Sequence, residues 1–232
     1  MMISIVFPAY NEAERIEKAI KETEKFLKKI NYDYEIIVAE DGSTDGTDKV
    51  VQELVNDKIR LFHSDVRLGR GKALMNAFEK AKGEIVISMD VDLATNIKHL
   101  KDLIEAIENG YDIAIGSRLI EGSKAKRSFE RLLYSKVYNF LVRALLKSKI
   151  KDHQCGFKAF KKDIVVKLGK EAKDNHWFWD TEILVLAQRK GYKIKEIPVE
   201  WTEGKDTKVR RTDVFYMFSR ILKMWLRLIG GK

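Results

Sequence analysis

The chain has 232 residues, 45% hydrophobic and 34% charged, which suits a globular protein with a substantial core, in one large domain or two small ones. A single cysteine, Cys155, excludes an internal disulfide and fits a reducing compartment. Net charge is +9 but uneven: residues 118–151 carry +8, residues 205–232 carry +6, and the remainder sums to −5.

Met1 leads straight into an apolar strand with no basic leader, so no signal peptide is expected. No apolar run reaches the roughly 20 residues that span a bilayer. The two basic stretches admit nucleic acid, anionic lipid or phosphorylated substrates as partners. Nucleic acid is disfavoured, because the positive charge avoids the first 117 residues and no nucleic-acid-binding motif is visible.

Met2–Ala9 has the composition of a buried strand, with Tyr10-Asn11-Glu12 as a turn. Over 14–30, Ile16, Ala19, Ile20, Thr23, Phe26, Leu27 and Ile30 share one helical face. Tyr34–Ala39 reads as a second strand ending at Glu40-Asp41. The turn-forming run 42–47 follows, with Asp45 or Thr44 placed to cap a helix that reaches about Asn56. Ile59–His63 is a short third strand. The loop from Arg67 to Lys72 is rich in glycine and basic residues and opens a helix through Ala81. It lacks P-loop spacing, but its backbone N–H groups could cradle a phosphate at the helix start. Glu84–Met89 is a fourth strand. The order β-α-β-α-β-α-β argues for a doubly wound, mostly parallel sheet.

That strand runs into Met89-Asp90-Val91-Asp92. Alternate residues of an extended chain point the same way, so both carboxylates reach one point at the rim of the sheet. Hard oxygen ligands there suit Mg²⁺ or Mn²⁺ together with substrate phosphates. Ligands of such sheets sit beyond the carboxyl ends of the strands. Three loops at that edge carry the unusual residues: Tyr10–Glu12, Asp41–Thr47 and Asp90–Asp92.

A helix from about 97 to 109 precedes the strand Asp112–Gly116 and then Ser117-Arg118. After Arg127, Phe129, Leu132, Leu133, Val137, Phe140, Leu141, Ala144 and Leu145 form one apolar helical face. Arg131, Lys136, Arg143 and Lys147 lie off it. Phe157–Phe160 suggests a strand, Asp180–Gln188 a helix and Lys193–Val199 a late strand. Thr212–Ile229 is a basic amphipathic helix. Packing on the core is the simplest role for both apolar faces. Their composition, aromatic and aliphatic on one side with Arg and Lys on the other, also suits a membrane surface. His63, His99, His153 and His176 show no metal-ligand spacing and are expected to be core or surface histidines.

Six segments in this order carry a family resemblance: Phe-Pro-Ala-Tyr-Asn-Glu (7–12), Glu-Asp-Gly-Ser-Thr-Asp-Gly-Thr (40–47), Gly-Arg-Gly-Lys-Ala (69–73), Met-Asp-Val-Asp (89–92), Gly-Ser-Arg (116–118) and Asp-His-Gln-Cys-Gly-Phe-Lys-Ala-Phe (152–160). The set resembles family 2 glycosyltransferases of the GT-A fold, within them the dolichyl-phosphate glucosyltransferases and mannose synthases. The resemblance implies one GT-A catalytic domain over 1–232. Residues 1–118 would be the nucleotide-sugar and metal half. Residues 119–232 would be the acceptor half, with its amphipathic helices near 127–149 and 212–229.

By position, the resemblance places Pro8, Tyr10, Glu12 and Asp41 at the base and ribose, and Ser43, Lys72, Asp90 and Val91 at the nucleotide. It places Asp90 and Asp92 on the metal, and makes Asp90, Asp92, Arg118 and Arg131 the catalytic group. Arg118, Arg131, Ser135, Lys208, Arg210 and Arg211 would meet the acceptor and diphosphate. Some relatives carry a third metal ligand where this chain has Ala94, so water or donor oxygens would replace it. Asp180 and Glu182 resemble the position of a base elsewhere in the family; a helix cap is the simpler role for Asp180.

The implied reaction is inverting, metal-dependent transfer of a hexose from a nucleotide sugar to a polyprenyl phosphate. UDP-glucose is favoured over GDP-mannose, because Gln-Cys-Gly-Phe-Lys is closer to the glucosyltransferases. The expected location is the cytoplasmic face of a membrane, attached peripherally. The alternatives are a family 2 enzyme with a sugar or protein acceptor, and a non-catalytic protein that binds a sugar nucleotide.

Overall fold

The computed structural model describes residues 1–204 and 211–230, except for the side chains of 211–214. The chain opens β1 (Met2–Ala9), α1 (Ile16–Ile30), β2 (Asp33–Glu40), α2 (Thr47–Gln52), β3 (Ile59–Phe62), α3 (Arg70–Lys80), β4 (Ile85–Ser88), α4 (His99–Glu108) and β5 (Ile113–Ser117). It continues β6 (Lys124–Lys126), α5 (Phe129–Leu146), β7 (Lys158–Lys161), α6 (Lys162–Gly169), α7 (Trp179–Arg189), β8 (Ile194–Pro198), β9 (Glu200–Thr202) and α8 (Arg211–Gly230).

Seven strands form one sheet in the order β3-β2-β1-β4-β7-β5-β8. Every pairing in it is parallel except the two made by β7. Both faces are covered, so its strands read as near-continuous apolar runs. Along β1, Ile3, Ile5 and Phe7 enter the core packed by α1 and α4, while Val6 enters the core packed by α3, α6 and α7. β2 alternates likewise, Ile36 and Val38 against Ile37 and Ala39. The exception is Glu35, 1% exposed in β2, which accepts from Ser4 Oγ at 2.6 Å and Arg60 Nη1 at 2.7 Å. A charge survives burial there because its oxygens are partnered.

The expected elements of the first half are present with ends displaced by a few residues. The cap of α2 differs: Gly46, at φ +88°, holds the N-cap position, and Asp45 accepts the Thr47 N–H from one residue further back. Three elements went unread in the sequence: β6, β9 and α6. β6 and β9 are three residues each and pair with one another in parallel. Runs that short carry no readable alternation.

The largest departure concerns α5. Its apolar stripe is divided: Leu141 and Leu145 are half-buried against the core, and much of the rest faces outward. Ser135, Asn139, Val142 and Leu146 are buried, while Phe129, Leu133, Val137 and Phe140 are 79%, 49%, 48% and 65% exposed. α8 packs beside α5; it buries Met217, Ile221 and Met224 and exposes Phe215, Phe218, Leu222, Leu226 and Ile229.

The antiparallel strand positions the site. β7 lies between β4 and β5 and runs against both, with Lys158 paired to Ser88. The residues just before β7, Asp152–Phe157, therefore lie beside the residues just after β4. A hydrogen bond from Ser88 Oγ to the Gly156 carbonyl, 2.7 Å, fixes that approach.

Candidate active site

β4 ends at Ser88, and the chain turns at Asp90 to Ala94. Leu93 takes φ +48°, uncommon for a residue with a branched side chain. Its N–H donates to the Asp90 carbonyl at 3.2 Å, and the Ala94 N–H donates to Asp92 Oδ1 at 3.0 Å. The turn thus holds both carboxylates at the strand end, as the sequence implied. They interact: burial first, and the Asp90 charge next, push the Asp92 carboxyl above its ordinary value. Two like charges in one confined place favour a cation between or beside them. Val91 is buried between them in sequence and faces the core.

Asp90 is held from the other side. Burial alone would raise its carboxyl, but the Arg70 guanidinium outweighs that and holds it below its ordinary value. Arg70 Nη2 donates to Asp90 Oδ1 at 2.8 Å and Nη1 to Asp180 Oδ2 at 2.9 Å. Asp180 in turn accepts from the fully buried Lys158 ammonium at 2.7 Å, and Lys158 also donates to the Cys155 carbonyl. Four alternating charges therefore link α3, β7, α7 and the end of β4. Asp180 is not the cap of α7; Phe178 holds that position and makes no side-chain cap bond. Glu182, 2% exposed, accepts from the backbone of Lys173 and Asp174 and from Arg227 at 2.5 Å, which makes it a brace between α7 and α8.

Space for the Asp90 carboxylate comes from Gly156. A Cβ at that residue would overlap both carboxylate oxygens. Gly204, the last described residue before 211, also borders the pair, since a Cβ there would lie 3.6 Å from Asp92 Oδ2.

The basic residues assigned to phosphates have partners. Arg118 donates from Nε and Nη2 to Asp152 at 2.7 and 2.9 Å, and its backbone N–H joins them at 2.9 Å. Asp152 is fully buried; Arg118 outweighs that burial and holds its carboxyl well below the usual range. Arg131 Nε pairs with Glu203 at 2.8 Å. Ser135 Oγ is buried with no hydrogen-bond partner. Arg211 begins α8, and Lys208 and Arg210 lie outside the described residues. A bridge from Thr95 to Trp201 ties the Asp92 turn to β9, and the indole of Trp201 receives Arg118 and Arg127 at 5.4 and 5.7 Å.

At the neighbouring strand ends, Pro8 pairs with Ala39 in register, and the Tyr10 ring lies 3.8 Å from the Arg67 guanidinium. Ser43 Oγ accepts the Asn11 N–H at 2.9 Å, and the Glu12 N–H donates to Thr47 Oγ1 at 2.8 Å, so these two loops form one unit. Asp41 accepts the N–H groups of Leu68 and Gly69 at 2.6 and 3.0 Å; burial nonetheless raises its carboxyl above the ordinary value. The Lys72 N–H donates to the Asn175 carbonyl at 3.0 Å, while its side chain is exposed. The expectation of a phosphate cradle over 69–72 is narrowed: the N–H groups of Gly69 and Lys72 are spent inside the protein, and Arg70 is the residue the loop contributes to the carboxylates.

His153 is a satisfied core histidine. Its ring nitrogens meet Asn139 Oδ1 at 2.7 Å and Ser148 Oγ at 2.8 Å, and burial lowers it to about 3. Arg70, Lys158, Asp152, Gly156 and Trp201 were not among the residues expected at the site. All but Trp201 lie inside the motif segments or beside them, but only the antiparallel insertion of β7 shows that they converge.

Residues 4–169 match the family described as Glycosyl transferase family 2. The chain is 47% identical over 232 residues to glycosyltransferase AglD of Haloferax volcanii, an alignment covering 97% of this chain and 37% of that protein. It is 34% identical over 236 residues to dolichyl-phosphate beta-glucosyltransferase ALG5A of Trichomonas vaginalis, covering 96% and 72% respectively. It is 33% identical over 224 residues to dolichyl-phosphate beta-glucosyltransferase of Homo sapiens, covering 89% and 69%. Glucosyl-3-phosphoglycerate synthase from Mycobacterium tuberculosis, crystallised with Mn²⁺, UDP and glucosyl-3-phosphoglycerate, shares the fold at a TM-score of 0.72 and 19% identity, over 99% of this chain and 80% of that one. With the paired aspartates at the end of β4 and the family motifs in order, the chain belongs to glycosyl transferase family 2, on a GT-A fold.

Proposed function

We propose that this protein transfers glucose from UDP-glucose to the phosphate of a dolichyl or related polyprenyl phosphate, with inversion, at the surface of a membrane. Glucose and dolichyl phosphate come from the names of the relatives, and UDP from the structural neighbour. The observation that carries the lipid acceptor is the outward apolar face of α5 and α8. Phe129, Phe140, Phe215 and Leu226 are each more than half exposed, and Lys136, Arg143 and Lys223 are exposed on the same two helices. Aromatic and aliphatic side chains flanked by cations suit an anionic lipid surface. A sugar or protein acceptor gives that face no role. Among the described residues no helix is long and apolar enough to cross a membrane; contact through this face, on the cytoplasmic side, is part of the proposal.

Asp90 and Asp92 fit a hard divalent cation, Mg²⁺ or Mn²⁺, because the mutual repulsion that raises Asp92 would be relieved by it. Such a cation would neutralise the donor diphosphate and favour its departure. Ala94 offers no third side-chain ligand; donor oxygens and water would complete the shell. The chain's own residues do the rest. Arg70 orients Asp90. The loops of Tyr10, Glu12, Asp41, Ser43 and Lys72 receive the nucleotide. Arg118, Arg131 and Ser135 face the phosphates. The acceptor phosphate is already an anion, so its oxygen attacks the anomeric carbon without a strong general base, and the task is to hold two anions in line.

The test is transfer of labelled sugar into an organic-extractable product, offering UDP-glucose and GDP-mannose separately with dolichyl phosphate. Label should enter the lipid phase from UDP-glucose, and both EDTA and Asp92→Ala should reduce it by at least a hundredfold. Hydrolysis of the donor with no lipid product would discard the acceptor. Nucleotide binding with no turnover would point to a sensor.

A further inference from the structure

Arg127 follows β6 directly, where the pairing of β6 with β9 fixes it against Trp201. Its Nε and Nη2 are buried and have no hydrogen-bond partner. Arg118 lies against the same indole, but Asp152 takes two of its side-chain donors and its backbone N–H. Arg131 is paired with Glu203. Of these three guanidiniums, Arg127 alone presents buried donors that nothing accepts. The residue as a whole is half-buried, but two of its donors are shut away from water with no acceptor; such donors are costly to keep, and a bound ligand is one way they are satisfied. Burial first, and then the Arg118 charge, lower the Arg127 guanidinium from its ordinary value, against the opposing pull of Asp152, Cys155 and Glu203.

We propose that Arg127 is the residue that binds the phosphate of the acceptor, a phosphate monoester on an apolar chain. Two further observations choose this anion over the donor diphosphate. Arg118 directly follows β5 of the seven-stranded sheet that carries the paired aspartates, whereas Arg127 follows β6 of the separate two-stranded sheet. The exposed apolar stripe of α5 begins two residues later, at Phe129. A phosphate at Arg127 would leave its hydrocarbon chain at the start of that stripe. Ser117 Oγ and Ser135 Oγ, also buried without partners, are donors of the kind a many-oxygened anion accepts from.

The proposal rests on the acceptor class given above, and the test separates the two. Binding of citronellyl phosphate, inorganic phosphate and UDP would be measured by calorimetry on wild type, Arg127→Gln and Arg127→Lys, with the thermal midpoint of each. The expected result is a loss of about tenfold to a hundredfold in affinity for citronellyl phosphate in Arg127→Gln. Arg127→Lys should recover part of it, and UDP affinity should stay within about twofold. The midpoint of Arg127→Gln should be no lower than wild type, because an unpartnered buried cation has been removed. In transfer assays the change should appear in KM for the lipid phosphate and not in KM for the nucleotide sugar. Equal binding of citronellyl phosphate by all three proteins would overturn the role of Arg127 and leave the acceptor class standing. Loss of UDP in its place would move Arg127 to the donor. Wild type that binds UDP but not citronellyl phosphate would overturn both.

Discussion

At the scale of single residues, the site depends on a few exact fits. Gly156 is the sharpest: any side chain there meets the Asp90 carboxylate. Gly156→Ala should lower kcat/KM by about a hundredfold, the effect of roughly an ångström of misplacement, and weaken the response to added Mn²⁺. Its thermal midpoint should change little, since Asp90 is half-exposed and can swing away; a variant with full activity would show that Asp90 has no fixed place. His153 makes a separate prediction. The unfolded chain takes up a proton below about 6.5, whereas burial keeps folded His153 neutral down to about 3. The unfolded state therefore binds more protons in that window, and stability falls as pH falls through it, by up to about 1.4 kcal/mol per pH unit. His153→Gln should flatten that limb in urea titrations at pH 6 and pH 4. Identical slopes would mean that His153 is not held neutral.

At the scale of elements, α5 shows what a sequence tells and what it withholds. Its period is plain in the sequence, and Phe129, Leu133, Val137 and Phe140 share one exposed face. Which way that face points was not legible. An apolar stripe normally faces the core, but here the core side carries Ser135 and Asn139, and Asn139 is occupied in holding His153. The aspartate pair was legible because a strand has period two and its end is marked by the carboxylates. Arg70 was legible only as part of a basic loop. Its two partners, Asp90 and Asp180, are 20 and 110 residues away, and no local pattern encodes such a distance. The outward face predicts that Phe140→Glu and Phe218→Glu, at positions 65% and 42% exposed, fold with stability within about half a kcal/mol of wild type. Both should lose co-flotation with anionic vesicles. Retained flotation would place membrane contact elsewhere.

At the scale of the whole molecule, one topological fact unites the site. The parallel strands bring the Tyr10 and Asp41 loops and the paired aspartates to one edge, as the βαβ order foretold. β7 then enters between β4 and β5 in the opposite direction. It delivers Asp152, Gly156 and Lys158 to the same edge from the second half of the chain, and β9 adds Trp201. The second half was read from its family motifs, and its geometry required the pairing of strands distant in sequence. The resulting arrangement runs from the Tyr10 and Asp41 loops, across two carboxylates, to guanidiniums beside an apolar surface. Such an order suits a water-soluble donor and a lipid-borne anion. The most direct test compares dolichyl phosphate with dolichol as acceptors for labelled UDP-glucose in one detergent system. The account predicts label in the lipid phase with the phosphate and none with the alcohol, because the acceptor phosphate is both the nucleophile and the group the guanidiniums hold. Equal labelling of dolichol would contradict it.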